Sequence, residues 1–186
     1  DDMRAGYFRP MYYHKVTAAL DKEGTPIAWQ HRIVGQSIIA GTAFEGGMVK
    51  NGVDATSVEG AANMPYAIPN ITVDLITTTL PVPVQWWRSV GSSHTAYAVE
   101  TAIDKLARAA SQDPVEFRRA LLKDHPRHIG VLDLATEKAG WGTTMPVGRG
   151  RGIFLSGVET SCKFKETVAL VRHRCDSGFD FLCAQQ

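Results

Sequence analysis

The 186-residue chain is 44% hydrophobic with a formal charge of +1, so it can bury a core and has no basic surplus to draw a nucleic acid or another polyanion. It lacks any run of about 18 apolar residues, the length a membrane-spanning helix needs. It opens on DDMRAGYFRP, without a targeting pattern and already inside patterned sequence, so it reads as an internal piece of a longer protein whose compartment, periplasmic or cytoplasmic, stays open.

Met11–Leu20, rich in aromatic and β-branched residues, reads as a strand. Asp21–Pro26, DKEGTP, is a turn cluster, and Ile27–Val34 is the partner strand of an antiparallel hairpin. His14 and His31 fall on these strands and read as exposed or hydrogen-bonded strand residues rather than ligands. Gly35–Gly52 is glycine-rich without a phosphate-loop pattern and reads as a surface excursion. Val53–Ala62 is expected to be a short helix and Met64–Asn70, with Pro65 and Pro69, an extended turn. Ile71–Leu80 is a strand, with Ile71, Val73, Leu75 and Thr77 on its covered face.

After Pro81 the period changes. Ser92–Ala110 carries Ala96, Val99, Ile103, Leu106, Ala107 and Ala110 at helical spacing, with Ser92 or Ser93 as N-cap. Asp113-Pro114-Val115-Glu116 starts a second helix over Pro114–Lys123, expected to bury Val115, Ala120, Leu121 and Leu122. Arg118, with Arg119 beside it, reads as solvated surface. A third helix starts near Pro126, carries Ile129, Leu132, Ala135 and Ala139, and stops at Gly140. His125 and His128 flank its first turn without enough spaced ligands for a metal. Gly148–Gly152, GRGRG, reads as a flexible basic linker. The fold class is therefore α+β, antiparallel strands followed by a helical block. Cys162, Cys175 and Cys183 fit no disulfide framework or zinc pattern, and supply fewer thiolates than an iron–sulfur cluster takes.

The chain is organised around Pro81–Glu100, PVPVQWWRSVGSSHTAYAVE, where two tryptophans and an arginine sit on a strand–loop–helix corner. Such a corner suits an anion, because the helix start offers N–H groups and Arg88 can grip a phosphate or planar heterocycle in a fork. The plainer reading makes Trp86 and Trp87 core anchors and Arg88 a surface cation.

The longer run YAIPNITVDLITTTLPVPVQWWRSVGSSHTAYAVE resembles the molybdenum-cofactor-binding large subunit of the xanthine dehydrogenase/aldehyde oxidase family. The shared features are a Tyr-x-Ile-Pro-Asn turn, a strand, and an aromatic-Arg-x-x-Gly corner before a helix. WRSVG, with DPVEFRRALLKDHPRH after the helix, is most similar to the isoquinoline 1-oxidoreductase β-subunit branch. The resemblance covers residues 1–153 as a partial cofactor-binding domain and leaves 154–186 as a divergent tail.

The resemblance implies a fragment of a molybdenum hydroxylase that oxidises an aldehyde or N-heterocycle, takes oxygen from water, and passes electrons to a small 2Fe-2S subunit. It implies cofactor-binding roles for Trp87 and Arg88 and a substrate-facing role for Val90. The purine-oxidising branch carries an aromatic residue at the Val90 position and a substrate arginine upstream, and no arginine lies between Arg32 and Arg88 here, so xanthine is disfavoured. The family's further cofactor loops and base-bearing glutamate segment are not in these residues. The fragment alone is therefore expected to hold no molybdopterin, to be inactive, and to supply no catalytic residue and no metal ligand. Glu100 reads as a structural hydrogen-bonding residue. Two other classes stay open: a non-catalytic remnant or interaction module, and a hydrolase using Ser92 or Ser93 with His94. Neighbouring helix residues point apart, which gives the hydrolase poor geometry.

Overall fold

The computed structural model of the chain describes residues 6–147, 149–160, 163–174 and 178–185, with side chains up to residue 156. The described residues fall into two compact units. One runs to Met64 and includes Ile68–Ala102; the other comprises Pro65–Ala67 and the residues from Ile103 onward.

The first unit is built on a three-stranded sheet. Strand β1 (Tyr12–Leu20) alternates half-buried and exposed residues without a break, the period of a strand with one covered face. It pairs antiparallel with β2 (Pro26–Gln36), in a register that sets His14 opposite Ile33 and Val16 opposite His31. The turn is tied by Asp21, whose Oδ1 accepts from the Glu23 and Thr25 backbone N–H groups at 3.0 and 2.7 Å. Strand β5 (Ile71–Thr78) lies on the other side of β2 and runs parallel to it. The sheet is thus mixed, whereas the sequence pattern led to antiparallel strands only. A hairpin signal is local, but a parallel partner arrives by a long crossover, here residues 37–70, that leaves no local mark. β5 is an edge strand, so its expected covered face is thin: Val73 and Leu75 are half-buried, while Ile71 and Thr77 are exposed.

The crossover also differs from the expected helix over Val53–Ala62. It contains α1 (Glu45–Met48), a small ladder of β3 (Val49–Lys50) with β4 (Val53–Asp54), and one turn of α2 (Ala55–Val58). Asp54 ends the strand and caps that turn, its side chain accepting from Thr56 N at 2.8 Å. Capping geometry is extended backbone, which shortens the helix.

Helix α3 (Ser92–Ala109) begins in the first unit, and its residues from Ile103 belong to the second. Val99, Ile103 and Ala107 are buried as their spacing predicts. In the second unit α4 (Pro114–Leu121) is capped by Asp113, which accepts from Val115 N and Glu116 N at 2.8 and 3.2 Å. It buries Val115, Phe117, Arg118 and Leu121, followed by Leu122, whereas Ala120 is exposed. Arg118 is not the solvated residue the run of arginines implied. It is fully buried, and its Nη1 donates to Asp104 Oδ1 at 2.6 Å and to the Pro114 carbonyl at 3.1 Å. A guanidinium satisfied by partners in fixed directions can take a core position that a charge count along the sequence assigns to water.

Helix α5 (Pro126–Lys138) buries Val131, Leu132, Ala135 and Thr136, and Gly140 follows at φ +60°, the left-handed stop expected there. Arg149–Gly152, expected as a linker, instead open strand β6 (Arg149–Thr160). β6 pairs antiparallel with β7 (Lys163–Arg174), which pairs with β8 (Gly178–Gln185) in a meander. Alternating Gly and Arg is compatible with a period of two, and composition alone hid it. Cys162 and Cys175 lie outside the described residues, as does the side chain of Cys183.

Candidate functional site

The Trp86–Gly91 corner is held on both flanks, by backbone pairing upstream and by side-chain bonds downstream. Upstream, Phe8 bridges Val84 in parallel, with Phe8 N donating to the Pro83 carbonyl at 2.9 Å and Gln85 N to the Phe8 carbonyl at 3.1 Å. Downstream, Gly91 N donates to Glu59 Oε2 at 2.9 Å, and Thr95 Oγ1 donates to the Glu59 carbonyl at 2.6 Å. A Cβ on Gly91 would stand 2.1 Å from the Thr56 carbonyl oxygen, so only glycine allows this approach. Between these anchors the chain turns through Ser89 at φ +74° and Val90 at φ +42°. A β-branched residue in the left-handed region is strained, and such strain concentrates at ligand sites.

The corner forms one side of a shallow open cleft lined by Trp86, Trp87, Val90, Tyr12, Ile38 and His94 among others. Trp87 and Val90, singled out from the sequence, thus face one space, and both tryptophans are exposed rather than core anchors. Arg88 is exposed on the corner and is not among the residues lining this cleft.

One lining residue, His94, heads a histidine chain that runs inward from the cleft and that sequence reading did not assemble. His94 Nδ1 lies 3.1 Å from His14 Nε2, and His14 Nδ1 lies 2.9 Å from His31 Nε2. His31 is fully buried, so the expectation of hydrogen-bonded strand histidines holds, but for one of them not as surface residues. The Tyr12 ring stacks on His94 with centroids 3.7 Å apart and planes at 14°. Gly35, opposite Tyr12 in the ladder, makes this possible, since a Cβ there would stand 2.1 Å from the Tyr12 ring. The Tyr12 hydroxyl is 2.9 Å from both the Gln36 carbonyl and Ser57 Oγ. Ser57 and Ser37 both donate to Asp54 Oδ2, at 3.1 and 2.5 Å, so a buried polar network braces the stack.

Burial pushes His94 down to about 3, and the positive charge that His14, His31 and Arg9 can carry adds to the shift. Burial likewise pushes His31 down to about 4, with His14 adding and Asp74 opposing. Burial also lowers His14 and raises Tyr12. At neutral pH the three rings are uncharged, each with one N–H and one lone pair, which is what a head-to-tail chain requires. Their nitrogens are paired with one another rather than converging on a point, and among the described residues no group of His, Cys, Asp and Glu is arranged to hold a metal ion. The Nδ1 of His94 is taken by His14 rather than by Ser92 or Ser93, so a serine hydrolase gains no support. Glu100 is buried.

The register of β1 and β2 was legible in part. Strands meeting at Leu20 and Ile27 put His14 and His31 in diagonal positions on one face, within reach of aromatic rings. His94 had no such signal, because it joins them from a helix 80 positions on from His14.

A family model described as the molybdopterin cofactor-binding domain matches residues 1–122. The chain is 28% identical over 142 residues to the β subunit of isoquinoline 1-oxidoreductase from Brevundimonas diminuta, covering 76% of this chain and 18% of that protein. It is 38% identical over 77 residues to a nicotinate dehydrogenase subunit of Pseudomonas putida, covering 41% of this chain and 6% of that protein. The chain thus spans less than a fifth of the length of these curated relatives. The fold is similar to quinoline 2-oxidoreductase from Pseudomonas putida 86, with a TM-score of 0.59 at 18% identity over 78% of this chain and 21% of that one. It is also similar to the aldehyde oxidoreductase of Desulfovibrio gigas, with a TM-score of 0.53 at 21% identity over 93% of this chain and 21% of that one.

Proposed function

The chain belongs to the molybdopterin cofactor-binding domain family, as a large-subunit domain of the molybdenum hydroxylases, and from that premise we propose that it forms one wall of the cofactor and substrate site of an enzyme that oxidises an N-heterocycle or an aldehyde. Oxygen comes from water, and electrons leave through an iron–sulfur subunit.

One observation carries the reading: the Trp87–Val90 corner, strained at Ser89 and Val90 and anchored at Gly91, beside an open cleft walled by aromatic rings. The residues fit a pterin cofactor. Arg88 offers an exposed planar fork for a phosphate or a ring edge, and Trp86 and Trp87 offer exposed aromatic surface to a planar heterocycle. When bound, the cofactor supplies the redox centre that accepts the substrate's electrons. Trp87 and Arg88 hold and orient the cofactor. Val90 faces the substrate, and being aliphatic and small it leaves room for a second ring. The corner's backbone is fixed before any ligand arrives, so little ordering is lost on binding. An N-heterocycle is favoured over an aldehyde because the curated relatives are named for isoquinoline and nicotinate.

The test is made on the full-length protein that contains this chain. Purified with its small subunit, it is expected to carry stoichiometric molybdenum and to reduce a dye acceptor with isoquinoline or quinoline. Folded protein that takes up no molybdenum would overturn the proposal. Molybdenum uptake with turnover of aldehydes alone would move the substrate to the other class.

A further inference from the structure

The histidine chain has a direction. At its buried end, His31 Nδ1 and Trp29 Nε1 both lack a hydrogen-bond partner among the described residues, and the two rings meet edge-on with centroids 6.1 Å apart. An indole nitrogen is a donor only. If His31 also carried hydrogen on Nδ1, two adjoining rings would each bury an unpaired donor, since the buried and unpartnered Asp74 Oδ1 makes no hydrogen bond to either, and unsatisfied buried N–H groups are costly. A lone pair on His31 Nδ1 removes that conflict.

This choice propagates. His31 then carries hydrogen on Nε2 and donates to His14 Nδ1 across 2.9 Å, so His14 carries hydrogen on Nε2 and donates to His94 Nδ1 across 3.1 Å. His94 lines the cleft with Nδ1 engaged, so Nε2 is the ring nitrogen left for a ligand, and it bears hydrogen. Stacking on Tyr12 fixes the plane of the ring. The cleft therefore has a preset donor beside its aromatic wall.

Resting on the reading of this cleft as the seat of a planar nitrogen heterocycle, we propose that His94 is a binding residue whose Nε2–H donates to an acceptor atom of that heterocycle, with His14 and His31 as positioning residues that set its tautomer. The acceptor has two sources, the ring nitrogen of a substrate or a nitrogen or carbonyl of the pterin. A donor held in one tautomer cannot rotate to accept, so the site discriminates against rings that present only N–H or C–H at this point.

The test uses the full-length protein and two bicyclic probes of the same shape, isoquinoline with an acceptor nitrogen and naphthalene without one. His94→Phe keeps a ring to stack on Tyr12 but has no donor, whereas His94→Gln keeps an N–H near the Nε2 position. With a substrate acceptor, His94→Phe weakens isoquinoline binding about tenfold, the worth of one hydrogen bond. It leaves naphthalene unchanged, and His94→Gln restores most of the loss. With a pterin acceptor, His94→Phe lowers molybdenum per folded protein by a similar factor, and His94→Gln restores it. Selective nitrogen-15 histidine labelling of the wild type reads the tautomers without any variant, and all three chain histidines are expected as neutral Nε2–H. His94 found as the Nδ1–H tautomer overturns the proposal. So does an equal loss of both probes, or no change in either probe affinity or molybdenum content. If instead the wild type takes up no molybdenum yet prefers isoquinoline through His94, the proposed enzyme falls and the donor stands.

Discussion

The His94 chain in the first unit and Arg118 in the second are both polar groups taken out of water, and the contrast between them separates a site from a scaffold. Arg118 is charged and closed off, with Asp104 and the Pro114 carbonyl meeting its Nη1. The histidines are uncharged and open at one end: His31 is buried, His94 reaches the cleft, and each link is a neutral hydrogen bond. A closed ion pair holds a helix in place and can do little else. An open chain of neutral rings carries a proton pattern to a surface where a ligand can read it.

The largest expected effect is acid destabilisation of the first unit. Unfolded histidine titrates at about 6.5, whereas His94 and His31 are held at about 3 and about 4. Between those values the unfolded chain binds more protons than the folded one, so stability rises with pH across that window. It is complete above the unfolded value and is lost as pH falls below it. From pH 7 to pH 5 the loss approaches about 2 kcal/mol for each of the two rings. Denaturant titrations at those pH values measure it, and replacing His31 and His94 together with neutral residues is expected to flatten the dependence. An unchanged midpoint would mean that the rings are not held neutral.

Arg118→Ala comes next. It removes a fully buried side chain and leaves Asp104 without this guanidinium, at an expected cost of about 3 kcal/mol. Because the role is structural, molybdenum per folded full-length protein is expected to stay at the wild-type level. Arg88→Ala should invert that pattern. It lies exposed on the corner, so thermal stability is expected to change little, while loss of a charge-assisted fork lowers cofactor occupancy by about tenfold or more. Lys at this position keeps the charge without the fork and is expected to rescue only in part. Melting temperature and metal analysis on the same samples separate the two arginines, and a fall in stability with normal metal for Arg88→Ala would return it to the scaffold.

How far the sequence discloses these features depends on whether their cause is local. The β1–β2 hairpin follows from a turn cluster and flanking alternation, and α3, α4 and α5 follow from caps and spacing, all within a few residues. The Trp87–Val90 corner was legible because a motif of consecutive residues marks it. What escaped depends on distant partners. β5 is parallel because of a crossover, Arg118 is buried because of Asp104, and His94 matters because the hairpin brings His14 to it. Burial of Phe117 in place of Ala120 belongs to the same class, since the rotation of a short helix is set by what it packs on and not by its own pattern.

The smallest effect serves as the control for this contrast. Asp113 caps α4 through Oδ1, accepting from Val115 N and Glu116 N, while its Oδ2 accepts from Trp141 Nε1 at 2.9 Å. Asp113→Ala removes both functions and is expected to cost about 1–2 kcal/mol. Asp113→Asn can keep the capping oxygen, but its amide then presents N–H toward the indole N–H, so the cap survives and the second bond does not. Trp141→Phe removes the indole donor alone. A double-mutant cycle over Asp113→Asn and Trp141→Phe therefore isolates the Oδ2 bond, with an expected coupling of about 0.5–1 kcal/mol, because Asp113 is exposed and water competes. Neither variant should alter isoquinoline affinity or molybdenum content in the folded full-length protein. A change in either quantity would show that capping of α4 reaches the ligand site, and the division between scaffold and site would have to be redrawn to include the second unit.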